Sequence, residues 1–140
     1  MSASSDLKSQ VMKSLLQAKS HLEYSFKKVQ KIPLSSENLT EEQLETLESF
    51  SSRFARLSDM IISKYFRLLL KEKDPAYQGS VLDILNQAEK YGWIEDAKIW
   101  KRIRELRNVA AHEYEASNYK QLYTELIQLT PHLLKVSVDL

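Results

Sequence analysis

The chain contains no cysteine, and only two glycines and three prolines in 140 residues. The first absence excludes thiolate nucleophiles, disulfide frameworks and cysteine-bound zinc or iron–sulfur clusters. The scarcity of glycine and proline leaves few turns, while abundant Leu, Lys, Glu and Gln supply strong helix formers. No apolar run approaches the roughly 20 residues of a membrane span, and the serine-rich N-terminus lacks the apolar core of a signal peptide. The chain therefore reads as unprocessed, off the membrane and cytoplasmic. Excess charge is missing too: 20 Lys+Arg stand against 19 Asp+Glu, a formal net charge of +1. No global field draws in a polyanion, so any nucleic-acid contact has to come from a local patch. With 43% hydrophobic residues, a chain of this length buries roughly two thirds of its unfolded surface. Residues 1–140 are read as one all-α domain that needs no metal or other cofactor to fold.

Apolar spacing of three and four marks the helices. Val11, Leu15, Ala18, Leu22, Phe26 and Val29 predict a first helix over about Leu7 to Gln30, ended by the loop "KIPLSSEN" because the residue before Pro33 disfavours helix. Thr40 with Gln43 has the spacing of a capping box. It opens a second helix to about Lys73, with the stripe Leu47, Phe50, Phe54, Leu57, Ile61, Tyr65 and Leu68. Ser80 is a candidate N-cap for a short helix through Tyr91 that buries Val81, Leu85 and Ala88, with Gly92 as its stop. A fourth helix starts near Glu95. A fifth, from about Tyr119, buries Leu122, Leu126 and Leu129, and Thr130-Pro131 kinks or restarts it. Short loops between such helices make an antiparallel, up-and-down bundle of four to five helices.

The fourth helix carries the chemistry. At roughly 100° per residue, Ile99, Ile103, Leu106 and Ala110 form its core stripe. Lys101, Arg104, Asn108 and His112 lie opposite, with Arg107 on the flank beside Trp100 and Tyr114. The stripe reads either as a solvated face or as a working pair. In its favour, Asn108 is a poor mid-helix residue without a reason to be there. Arg107 and His112, about 140° apart on the wheel, converge on a ligand lying across this face. A guanidinium grips two phosphate oxygens and stays charged, while an imidazole takes or gives a proton near neutrality. RNA brings its own nucleophile, the 2′-hydroxyl. A single copy offers a thin site, and a twofold axis along the fourth helices would bring two such pairs into one cleft.

Arg107-Asn108-Val109-Ala110-Ala111-His112 reads R-N-x-x-x-H, and with Tyr114 the run becomes R-x-x-x-x-H-x-Y. This resembles the signature of the HEPN superfamily, in the form of the HepT-like toxins paired with minimal nucleotidyltransferase (MNT) antitoxins. The motif sits at the end of the penultimate helix of an all-α chain of about this size, as in that family, and the likeness in helix layout covers nearly the whole chain. The resemblance implies a dimerising helical bundle with a metal-independent ribonuclease site in the dimer cleft. Arg107 and His112 would be catalytic, with Asn108 in support; Arg104, on the polar stripe of the same helix, is a further supporting candidate. Tyr114 would match the tyrosine that, in some of these toxins, the partner nucleotidyltransferase modifies with AMP. Other members of the family serve as non-catalytic partner or substrate-binding subunits of the nucleotidyltransferase. This sequence carries no nucleotidyl-transfer signature of its own, so a partner would supply that activity.

Other features stay open. Lys98, Lys101, Arg102, Arg104 and Arg107 are either a local RNA track or a helix face with ion pairs one turn apart. Trp93 and Trp100 either stack bases or fill the core. His21 reads as a boundary residue and His132 as a solvent-facing one, and no histidine pair has metal-ligand spacing. Three functions remain: a ribonuclease toxin, a nucleotidyltransferase partner subunit, and a helical interaction domain without a ligand.

Overall fold

The computed structural model describes residues 3–112 and 119–138. Among them every regular element is a helix: α1 (Ala3–Val29), α2 (Glu41–Asp59), a π-helical segment (Met60–Phe66), α3 (Arg67–Lys73), α4 (Val81–Lys90), α5 (Ala97–His112) and α6 (Tyr119–Leu134). α2, the π segment and α3 follow one another without a break, so they form one central rod.

Local chemistry explains where these helices begin and end. At the start of α2 the Thr40 hydroxyl accepts from the Gln43 amide at 3.1 Å and the Gln43 side chain accepts from the Thr40 amide at 2.9 Å. A cap of this kind is worth about 1 kcal/mol. The Ser80 hydroxyl caps α4 by accepting from the Asp83 amide. That helix stops at Gly92, whose φ of 78° is open to glycine and strained for other residues. The Gly92 and Trp93 amides turn back to the Glu89 and Ala88 carbonyls, the paired bonds of a Schellman stop. α5 starts at Ala97, two residues later than the sequence suggests, because the Asp96 carboxylate accepts from the Lys98 amide. α6 runs on through Pro131 and does not restart there. The buried Thr130 hydroxyl donates to the Leu126 carbonyl within it.

The pairing of residues gives helix direction. Lys8 meets Glu72, Phe26 stacks on Phe50, and Arg53 donates to the His21 carbonyl. Rising numbers on α1 meet falling numbers on the rod, so the two are antiparallel. The same holds for α5, where Trp100 packs on Phe66 and Arg107 reaches Asp59.

A helix flanked on both sides buries more than one stripe, and the rod does so. Ile61, Ile62, Tyr65 and Phe66 are all buried, and the stripe ends on Leu70. Leu68, expected in that stripe, is only half-buried. A π turn takes in more residues than an α turn, so Met60–Phe66 shifts the phase of everything after it and moves Leu68 toward the surface. Trp100 is buried against Phe66, and Trp93 packs on the same ring. Both tryptophans therefore belong to the core and its margin. No helix among the described residues is long and apolar enough to cross a membrane.

α5 is tied to α6 by one bidentate pair: Arg102 donates from Nε and Nη2 to Glu125 at 2.6 and 2.7 Å. Those hydrogen bonds hold the Glu125 carboxyl below the ordinary carboxylate range. The unfolded chain therefore takes up this proton first as pH falls. The pair's contribution is complete above the ordinary glutamate value of about 4.3 and is lost as pH drops through the lower folded value. Acid titration of stability is expected to show a shallower fall in Glu125→Gln than in wild type, by thermal melts between neutral and acidic pH.

Candidate functional site

Of the five basic residues on α5, three are held by carboxylates. Arg102 is taken by Glu125 and by Glu105, one turn on. Arg104 and Arg107 both turn to the central rod, where they share Asp59. Lys98 and Lys101 form no ion pair among the described residues. The run is therefore mostly a set of ion pairs, and the contacts that matter cross between helices.

Asp59 is the last residue of α2, at the junction with the π segment. Arg107 donates to it side-on, Nε to Oδ1 at 2.9 Å and Nη2 to Oδ2 at 2.7 Å. Arg104, one turn earlier on α5, donates from Nη1 to Oδ1 at 3.1 Å. The hydrogen bonds to Asp59 raise the affinity of Arg107 for its proton, against a smaller opposing effect of burial. The three side chains are 28%, 33% and 35% exposed for Arg107, Arg104 and Asp59. They are shielded enough to be oriented and open enough to be reached.

This arrangement has two chemical consequences. One carboxylate faces two guanidinium groups, so the cluster keeps one net positive charge. A guanidinium also has five N–H donors in a fixed fork. Asp59 uses the Nε edge of Arg107, and Nη1 makes no hydrogen bond among the described residues; the fork is aimed by a group that cannot rotate away without losing two charge-assisted bonds. An anion such as a phosphate is the complement of such a site.

Asn108 follows Arg107 and is exposed on α5. His112 is the last residue of that helix, five positions beyond Arg107; its side chain lies outside the described residues, as does Tyr114. The structure thus unites Arg104 and Arg107 and places Asn108 and His112 on the same helix. It adds Asp59, which the sequence analysis missed. The available signal was an acidic residue set in the apolar run "LSDMII", but nothing in that run says which helix it faces. His21 and His132 lie on α1 and α6, apart from this cluster. No group of three or more His, Asp or Glu able to hold a metal ion occurs among the described residues.

An all-helical bundle with an arginine pair on its penultimate helix is the class of protein in which an R-x-x-x-x-H motif has its expected setting. The family model described as "Ribonuclease HepT-like" matches residues 29–139, and the chain belongs to the HepT-like ribonuclease family of the HEPN superfamily. No curated protein matches it.

Replacing Asp59 leaves two neighbouring guanidinium groups without their counter-charge. Asp59→Asn is expected to destabilise the fold by about 1 kcal/mol, the upper end for partly exposed pairs, and to lower Tm by roughly 3 °C. Thermal unfolding monitored by circular dichroism checks this. An unchanged Tm would show that the cluster contributes nothing to holding α5 on the rod.

Proposed function

We propose that the protein is a metal-independent endoribonuclease toxin acting with an MNT-type nucleotidyltransferase antitoxin in the cytoplasm. Its site would be formed by Arg107 and His112 in the cleft of a homodimer. The observation that carries this reading is the Asp59-anchored Arg107, five residues before His112 on one helix, within a chain of the HepT-like ribonuclease family.

The chemistry follows from what RNA itself supplies. His112 takes the proton of a 2′-hydroxyl, and the resulting oxygen attacks the adjacent phosphorus. Arg107 holds the non-bridging oxygens through its Nη1 side and stabilises the charge that accumulates there. Arg104 adds positive potential from one turn away, and Asn108 supports the bound strand beside them. The bond to the 5′-oxygen breaks, and that oxygen takes a proton from an imidazolium, either the one just formed or that of the second copy's His112. The products are a 2′,3′-cyclic phosphate and a 5′-hydroxyl. Two copies packed along α5 would enclose the strand and complete a site that one chain leaves open. Tyr114 is the residue on which the partner's AMP transfer would act, adding negative charge two positions after His112 in the chain and so opposing RNA binding.

A second reading is favoured by one specific observation. Asp59 occupies the Nε edge of Arg107, which is also what a purely structural ion pair does. In that case the chain is a non-catalytic partner or substrate-binding subunit of a minimal nucleotidyltransferase, and the α5 face is its docking surface.

Incubation of a defined RNA with purified protein in excess EDTA separates the two. Wild type is expected to cut with 2′,3′-cyclic phosphate ends, and His112→Ala and Arg107→Ala to lose at least about a hundredfold in rate, the scale of one acid–base group. Equal rates in wild type and His112→Ala, or no cutting by a confirmed dimer, would overturn the catalytic reading.

A further inference from the structure

A second feature lies farther along the central rod, against α1. A groove of about 780 Å³ runs between α1 and the stretch from Lys64 to Pro75. Its floor is apolar: Leu7 and Val11 come from α1, and Leu68 and Pro75 from the rod and the turn after it. Leu7 is 53% exposed, and Leu68 is the residue that the π segment moves out of the buried stripe.

Three cations stand along this floor. Lys64, Arg67 and Lys71 follow one another at i, i+3 and i+7, about two turns or roughly 10 Å of helix. Arg67 is steadied by donating to the Gly79 carbonyl at 3.2 Å and makes no ion pair among the described residues. Lys64 and Lys71 are exposed and make no ion pair among the described residues. The one acid in the groove, Glu72, is taken by Lys8 at 3.0 Å. The result is an apolar trough edged by three cations that form no ion pair among the described residues.

We propose that this groove docks an acidic amphipathic helix of a protein partner. An occupying helix would insert Leu-like side chains at i, i+3 or i+4 and i+7 onto Leu7, Val11 and Leu68, and lay Asp or Glu along the flank facing Lys64, Arg67 and Lys71. Apolar burial supplies affinity, and the three cations set orientation and speed the encounter. A flat bilayer does not follow a concave trough. A nucleic acid would find phosphate partners, but none of the groove's residues is aromatic, so no base has a ring to stack on. Neither Arg104 nor Arg107 lines the groove, so the proposal stands whether or not the chain cleaves RNA.

The probe is a fluorescently labelled synthetic helix with leucines at that spacing and glutamates on its flanks, titrated with the full-length protein by fluorescence anisotropy. Saturable binding is expected, weakened at least about tenfold in the double variant Lys64→Glu/Lys71→Glu and likewise in Leu68→Ser, all with unchanged far-ultraviolet circular dichroism. A peptide with lysine in place of each glutamate should bind wild type at least about tenfold more weakly. Equal affinity of wild type and the charge-reversed variant, equal affinity for the two peptides, or no binding at all would overturn the proposal. So would displacement of the bound peptide by single-stranded RNA or by phosphatidylserine vesicles, since either would assign the groove to another class of ligand.

Discussion

Asp59 stands where the central rod passes from α-helix to π-helix, and its carboxylate receives both arginines that reach across from α5. α5 is held on the rod from two ends: Trp100 is buried against Phe66 in the core, and Arg104 and Arg107 close on Asp59 toward the helix C-terminus. The first contact is hydrophobic and non-directional. The second is directional and sets how the guanidinium of Arg107 is turned. Without it, a long side chain at the edge of the bundle would sample many rotamers. With it, one face of the fork is fixed and the other stays available.

The π segment is a second constraint with consequences in both directions along the rod. It follows Asp59 directly and changes the phase of the residues beyond it. On the core side, this lets Ile61, Ile62, Tyr65 and Phe66 all be buried against α1, α4 and α5. On the surface side, Leu68 moves to the margin and becomes the floor of a groove edged by Lys64, Arg67 and Lys71. A regular α-helix would have kept Leu68 in line with Ile61 and Tyr65. One local departure from helical geometry thus stands between two surfaces of different chemistry on one rod.

Much of the fold was legible because it is written in short-range chemistry. Thr40 with Gln43, Ser80, Gly92 and the end of the rod at Lys73 depend on neighbours within a few residues, and all are found as expected. Arg107 stood out because a motif marks it, and Arg104 because it lies in the polar stripe of the same helix. Asp59 did not, since its role exists only once α5 lies antiparallel to the rod, a relation between residues 45 and 48 positions apart. The π phase shift was hidden for a related reason: a period of 3.6 residues was the only template, and it carried Leu68 into the core. The basic run on α5 was legible as a face with ion pairs one turn apart but not as pairing between helices, because Glu125 is brought to Arg102 by the packing of α6. Continuity through Pro131 likewise depends on α6 being held by its buried neighbours Leu126 and Leu133.

The account rests on Asp59 acting through Arg107, as the group that aims it. The most direct measurement is a double-mutant cycle in RNA cleavage rate over wild type, Asp59→Ala, Arg107→Ala and the double variant, each confirmed folded. If Asp59 works only by orienting Arg107, its removal slows wild type but costs nothing further once Arg107 is gone, so the double variant cleaves at the rate of Arg107→Ala. Losses that multiply independently would contradict the account and assign Asp59 a role of its own.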